Sequence, residues 1–371
     1  MKIISDWFHR FLTDPQAVIL ALLVVTLTAV VLFMGKLLAP VLASIVIAYL
    51  LEGLVKLLRR QGVPRFVAVL VVFTLFMAFV LVLALGLMPL LWRQLTQLVQ
   101  QLPTMLQQGQ DLLLSLPAMY PTFITEEQVM GMINAIKGEI AGLGQNILSW
   151  SLASVVGIIT ILVYSVLVPL LVFFFLKDKS RILGWFGAFL PHDHTLAIEI
   201  WREVDVQIGN YIRGKFWEIL IVWAVTYVTF AWLELQFAML LGLMVGLSVI
   251  VPYIGAVVVT FPVAIVALFQ WGWGESFYWL MGAYAVIQAL DGNVLVPLLF
   301  SEVVDLHPIA IIVAVLVFGG LWGFWGVFFA IPLATVVQAL LKAWPRRSVL
   351  EPHPMTVGAA EEPRVIVSER L

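Results

Sequence analysis

Cysteine is absent from the 371 residues. No disulfide, thiolate nucleophile or cysteine-based metal site can form. Charge is scarce as well, at 11% of residues. A soluble domain usually carries about 25%. Too few polar residues remain to coat a water-facing surface. Net charge is −2. No clustered basic face of the kind nucleic-acid binding needs is present, so no nucleic acid is expected as a partner. The glycine-rich phosphate loop G-x-x-x-x-G-K-[ST] and the zinc motif H-E-x-x-H are both missing. No second Asp at membrane depth pairs with Asp291 as an aspartic dyad would require. No suitably buried histidine serves a Ser–His hydrolase or haem. The reading is not an enzyme, with no catalytic residue, cofactor or metal expected. A cleavable signal peptide is not evident, because the first apolar run is longer than a usual signal core.

What is abundant is hydrocarbon, at 63% hydrophobic residues. Several apolar runs reach the roughly 20 residues that span a bilayer as helix. A β-barrel would show short alternating segments instead. The fold class expected is an all-α polytopic membrane protein. It should have about eight transmembrane helices, two of them broken or re-entrant, and an extracytoplasmic helical insertion.

Residues 1–15 form a polar lead. Spans one to three occupy 16–91, at 16–34, 37–51 and 66–91. Gly35-Lys36 reads as a tight connection between the first two. Residues 92–150 are Gln-rich, with apolar residues at helical spacing, and read as extracytoplasmic amphipathic helices. Span four covers 151–176. Residues 177–215 are cytoplasmic and carry an amphipathic helix from His192 to Gly214. Residues 216–342 hold spans five to eight and the expected transport path. Residues 343–371 read as a disordered cytoplasmic tail.

Basic residues stay on the cytoplasmic side. With both termini, the 52–65 loop and the 177–215 segment inside, 17 of the 20 Lys and Arg residues are cytoplasmic. Only Lys36, Arg93 and Lys137 are left outside. Both termini are then cytoplasmic and the number of crossings is even. Phe237 to Gln270 is an interrupted run of 34 residues, about 51 Å as helix. It is either one broken span or a re-entrant hairpin. The same choice applies to Pro308–Leu341. Two broken spans give eight crossings, the favoured count, and two hairpins give six. Labelling at Asp305 separates them.

The interruptions are Val251-Pro252-Tyr253-Ile254-Gly255 and the glycine series Gly319, Gly320, Gly323 and Gly326. Pro252, Pro297 and Pro332 each free the carbonyl four residues back, at Ser248, Asn293 and Phe328. Freed carbonyls at membrane depth must face protein or a water-filled cavity. Between the breaks lies Asp291, near the middle of an apolar run. A carboxylate there is costly and is usually functional or paired. Tyr284, Gln288 and Asp291 share one helical face, and Asn293 is close in sequence. Candidate path residues are therefore Asp291, Gln288, Asn293, Tyr284, Pro252, Tyr253 and Gly255. Glu218 and Arg213 join them as a gate, against the plainer reading of a surface ion pair with Lys215. Gly319, Gly320, Gly323 and Gly326 are candidate hinges. Gly242 with Gly246, and Gly319 with Gly323, are small-xxx-small pairs suited to close helix packing. His307 reads as a loop residue, as do His192 and His194.

The order and spacing of several motifs carry a family resemblance. They are Phe173-Phe174-Phe175-Leu176-Lys177-Asp178-Lys179, Asn210-Tyr211-Ile212-Arg213-Gly214-Lys215 and Val251-Pro252-Tyr253-Ile254-Gly255-Ala256. Gln288-Ala289-Leu290-Asp291-Gly292-Asn293 with Pro297, Leu306-His307-Pro308 and Gly323-Phe324-Trp325-Gly326-Val327 complete the set. The chain resembles the bacterial autoinducer-2 exporter (AI-2E) family, and within it the PerM-like permeases, over about residues 10–345. The resemblance implies a multi-pass protein of the bacterial inner membrane and a homo-oligomer. The function expected is a secondary transporter that exports a small polar solute, coupled to H+ or Na+. Its partners are the lipid bilayer, that solute and the ion. A membrane scaffold without net flux and a channel are the alternative readings.

Overall fold

The computed structural model describes residues 15–119, 154–188, 195–300 and 307–343, with a few isolated positions between 127 and 138. The polar lead, most of residues 120–150 of the 92–150 insertion, His192, His194, the loop with Glu302 and Asp305, and the tail lie outside the described residues. The described residues contain helix, turns and short connections, with no strand.

Helix α1 runs from Pro15 to Arg60, 46 residues without a break. This corrects the expected tight connection at Gly35-Lys36. Neither residue breaks a hydrogen-bonded ladder outright, and Pro40 is absorbed inside the helix. Helix α2, Arg65–Val82, continues through a π-turn at Leu83–Leu87 into α3, Met88–Met119. The change of composition at Trp92 is therefore not a break in the backbone. Helix α4 is Ser154–Lys177 and short helix α5 is Lys179–Gly187. Helix α6, Thr195–Trp232, fuses the expected amphipathic helix and span five into one rod. The boundary expected at residue 215 is not a break, since neither Gly214 nor Lys215 stops a helix with both sides packed.

Helices α1, α2 and α4 form one packed layer. Ala48, Leu51 and Val55 of α1 meet Ala68, Val69 and Val72 of α2 and Val172 and Leu176 of α4. Arg65 donates to the Leu176 carbonyl at 3.0 Å, closing the C-terminus of α4.

The last third is built from two helical hairpins and a rod between them. Hairpin 1 is α7, Ala238–Ser248, and α8, Ile254–Trp271. Its arms are antiparallel. Gln270, near the end of α8, accepts from the Gln236 amide at 2.7 Å and donates to the Glu234 carbonyl at 2.7 Å. The rod is α9, Glu275–Leu290, a π-turn at Asp291–Leu295 and α10, Val296–Phe300. Hairpin 2 is α11, Pro308–Trp322, the single turn α12, Phe324–Phe328, and α13, Ala330–Ala343. Its arms also return on each other: Ala314 and Val315 pack with Ala330, Phe318, Val327 and Ala334.

Hairpin 1 lies close along α6 because α7 has no side chains in the way. A Cβ on Gly242 would come within 3.1 Å of the Tyr227 backbone, and one on Gly246 within 2.6 Å of Trp223 Cβ. The first small-residue pair is thus an internal seam. The part of α3 beyond Trp92 closes over the base of the same hairpin. Gln94 Oε1 accepts from the Leu240 amide at 2.8 Å, satisfying a free donor in the first turn of α7. Met105 is buried in the hairpin core. Gln94→Ala should cost about 1 kcal/mol, the usual value of a helix N-cap. A shift in thermal unfolding of the purified protein measures it.

Among the described residues, six helical stretches are long and apolar enough to cross a membrane: Leu37–Arg60, Arg65–Asp111, Thr160–Lys177, Val204–Trp232, Ile254–Trp271 and Glu275–Phe300. Helices α7 and α11 are apolar but shorter.

Candidate functional site

Helix α6 presents Tyr211, Lys215 and Glu218 at offsets of four and three, on one face. Each meets something delivered by the hairpins or the rod. The Tyr211 hydroxyl donates to the Phe328 carbonyl at 2.9 Å. That is a carbonyl freed by Pro332, so the partner demanded by the proline break is a buried tyrosine on another helix. Lys215 donates to the Val249 carbonyl at 2.9 Å. Val249 caps the C-terminus of α7, where carbonyls lack intrahelical donors and a cation is favoured. The two hairpin tips thus dock on α6 one turn apart. They also meet each other: Val251 packs in the Ala314, Val315 and Ala330 cluster, and Ile250 packs with Phe328 and Ile331.

The tip of hairpin 1 is tight. The Ser248 carbonyl, freed by Pro252, takes the Val251 amide at 3.0 Å. Tyr253 has φ 62° and ψ −52°. The Ile254 amide closes on the Pro252 carbonyl at 2.7 Å. This is a γ-turn with positive φ, a rare and strained geometry for a residue with a side chain. Gly255 follows because a Cβ there would collide with the Ser248 carbonyl oxygen. Hairpin 2 repeats the device, since a Cβ on Gly326 would collide with the Phe318 carbonyl oxygen. Gly323 makes the turn itself, with φ 59°. Gly319 packs against Val327. Gly320 has no neighbour that an added Cβ would meet.

Around the tips three charges gather. Lys215 Nζ lies 2.6 Å from Glu218 Oε2, and both side chains are almost fully buried. The ammonium also sits 5.3 Å over the Phe300 ring. Asp291 lies within electrostatic range of Lys215 and of Glu218. Its Oδ1 is shielded from solvent and accepts no hydrogen bond. The residue opens the π-turn. Such turns often sit at functional sites, and here the extra residue accommodates Pro297 without a break in the rod.

The structure sorts the remaining candidates. Tyr284 is buried and its hydroxyl receives Gln288 Nε2 at 3.0 Å and lies 3.1 Å from Thr260 Oγ1. Tyr284 and Thr260 thus join the rod to hairpin 1, and Gln288 braces the Tyr284 hydroxyl from within the rod, one turn before Asp291. Asn293 turns to the exposed side and donates to its own helix at Ala289. Arg213 bonds Asn210 at 2.8 Å and packs beside Gly53 of α1. It does not join the Lys215–Glu218 pair. The pair itself is buried at the hairpin tips, where the sequence alone favours a surface contact. His307 caps α11, its Nδ1 accepting the Ile309 amide at 3.3 Å. Sequence reasoning missed Tyr211, Thr260 and Phe300 as site components. None of the three carries a charge to mark it; only Tyr211, four residues before Lys215 on α6, could have been placed on that face from spacing.

Comparison with known proteins places this architecture. A family model described as "AI-2E family transporter" matches residues 20–346. The chain belongs to the AI-2E family. It is 44% identical over 345 residues to the PerM protein of Escherichia coli (strain K12), a permease by name, covering 93% of this chain and 98% of that protein. It is 26% identical over 315 residues to the transport protein YueF of Bacillus subtilis (strain 168), covering 83% and 84%. It is 26% identical over 328 residues to the AI-2 transport protein TqsA of E. coli (strain K12), covering 88% and 91%. This AI-2E protein is therefore an all-helical, multi-pass membrane protein of a transporter family.

Proposed function

We propose that this AI-2E protein is a secondary transporter of the bacterial inner membrane. It exports a small polar solute, with a proton or sodium ion exchanged at the charges between the hairpin tips. One observation supports this most directly. Two carboxylates, Glu218 and Asp291, face a single ammonium, and one Asp291 oxygen is buried without a hydrogen-bond partner. A carboxylate at membrane depth is costly and marks a candidate functional site, ion pathways among them. Opposed broken helices bring backbone carbonyls to the same depth. Homo-oligomeric assembly belongs to the same proposal. The test is flux in proteoliposomes, with a panel of labelled polar solutes and an imposed pH or sodium gradient. Gradient-dependent, saturating flux is the expected result. Unsaturable flux would mean a channel, and no flux of any solute or ion would sink the transport reading.

The hairpins, in this reading, re-enter from opposite faces and do not cross. The 11 residues of α7 span about 16 Å, half of a hydrocarbon core. The connection before α11 is then cytoplasmic. A single cysteine replacing His307, in this cysteine-free chain, should react with an impermeant maleimide only from the cytoplasmic side. Reaction from the outer side would restore eight crossings. A second reporter at Ser5 tests the unbroken α1: as a single crossing it puts Ser5 on the outer side, whereas the cytoplasmic N-terminus favoured by the basic residues would need the chain to reverse near Gly35-Lys36.

A further inference from the structure

The geometry points to Lys215 as the residue that latches the tip of hairpin 1 over the carboxylates, a positioning residue for transport. The inference rests on the transport reading for its consequence, though its test does not.

Lys215 is 4% exposed. Its Glu218 contact joins residues three apart on α6, so that ion pair fixes no element against another. The contact that spans elements is the hydrogen bond to the Val249 carbonyl. It ties α6 to Val249, the C-cap of α7, just before the γ-turn at Tyr253. A charged donor on a carbonyl is among the stronger hydrogen bonds, and here it serves an orphan carbonyl at a helix end. Phe300 reaches the ammonium from the rod because Gly214 leaves room. A Cβ there would come within 2.7 Å of the Phe300 ring. One ammonium thereby contacts hairpin 1, the rod and α6 together. Glu218 and Asp291 are the charges that face it. Without Lys215 the strained tip loses its charged tie to α6 and keeps the apolar packing of Val249, Ile250 and Val251.

The experiment is thiol accessibility in the purified, full-length protein. Ile250→Cys places a thiol where 8% exposure means it is covered while the tip is closed. Ala238→Cys, equally covered at the hairpin base, reports general loosening. In the Lys215→Met background, modification at position 250 by N-ethylmaleimide should speed up by about tenfold or more, the value of a charged hydrogen bond. The rate at 238 should not change. Lys215→Met leaves Glu218 unpaired, which by itself destabilises a buried site. The double variant Lys215→Met/Glu218→Gln removes that imbalance while still lacking the donor to Val249. It should keep the fast rate at 250. Return to the slow rate in the double variant would overturn the latch, as would equal acceleration at 238 and 250. If labelling behaves as expected while every variant and the parent lack flux, the latch stands and the transport reading falls.

Discussion

Asp291→Asn should reduce flux to the level of protein-free liposomes while leaving the protein folded. The two halves of that expectation have separate causes. Asparagine keeps the shape of the side chain but carries no charge and cannot exchange a proton at neutral pH. The Lys215–Glu218 pair would then be electrically complete, with no carboxylate left over to hold an ion. Stability should stay level or rise, because the buried Oδ1 accepts no hydrogen bond that the substitution could remove and burying a charge without a partner is costly. A gain in stability with a loss of function is the pattern of a site that carries strain for its task. Thermal unfolding and flux measured on one preparation separate the two effects. Undiminished, gradient-driven flux in Asp291→Asn would remove this carboxylate from the mechanism. Asp291→Glu keeps the charge and should keep part of the flux.

The second large effect lies at the hairpin tips. Gly255→Ala and Gly326→Ala should each disrupt their hairpin, and the control is Gly320→Ala. Neither Gly255 nor Gly326 has a positive φ, so backbone freedom is not what these positions require. They require the absence of a Cβ. In each, the added carbon would strike a backbone carbonyl of the opposing arm, Ser248 or Phe318. A flexible side chain could swing away, but a carbonyl in the last turn of a helix moves only with the helix. Overpacking of this kind costs about 3 kcal/mol or more. The expected outcome is a large fall in unfolding temperature or the loss of a monodisperse protein, with flux gone. Gly320 is helical and meets nothing within 4 Å, so alanine there should be neutral or slightly stabilising. Equal behaviour of Gly320→Ala and Gly326→Ala would show that the hairpins are not packed as described.

These glycines show how far the sequence could be read. The series at Gly319, Gly320, Gly323 and Gly326 marks a break, and all four look alike in a list of residues. Their roles are different: Gly323 turns, Gly326 and Gly319 pack, and Gly320 does neither. The carboxyl face was legible because a helix repeats every 3.6 residues. Tyr284, Gln288 and Asp291 fall together and do point inward. The same arithmetic separates Arg213 from Lys215. Two residues along a helix turn about 200°, so Arg213 faces α1 while Lys215 faces the hairpins. Asn293 stands two residues beyond Asp291 and is likewise turned away.

By itself, the sequence determined that this chain is helical and lives in a bilayer, since its apolar runs leave no other way to satisfy the backbone. It also determined where two of those runs must fail, because proline removes a donor and glycine removes a side chain. Only the tertiary structure decided that the arms fold back on themselves. A broken rod and a hairpin have the same hydropathy, and what separates them is a pairing of distant residues such as Gln270 with Glu234 and Gln236. Tertiary structure also decided that Lys215, an ordinary basic residue in the chain, stands buried under the tip of hairpin 1. Its main partner there is a backbone carbonyl, and no side chain announces that in sequence.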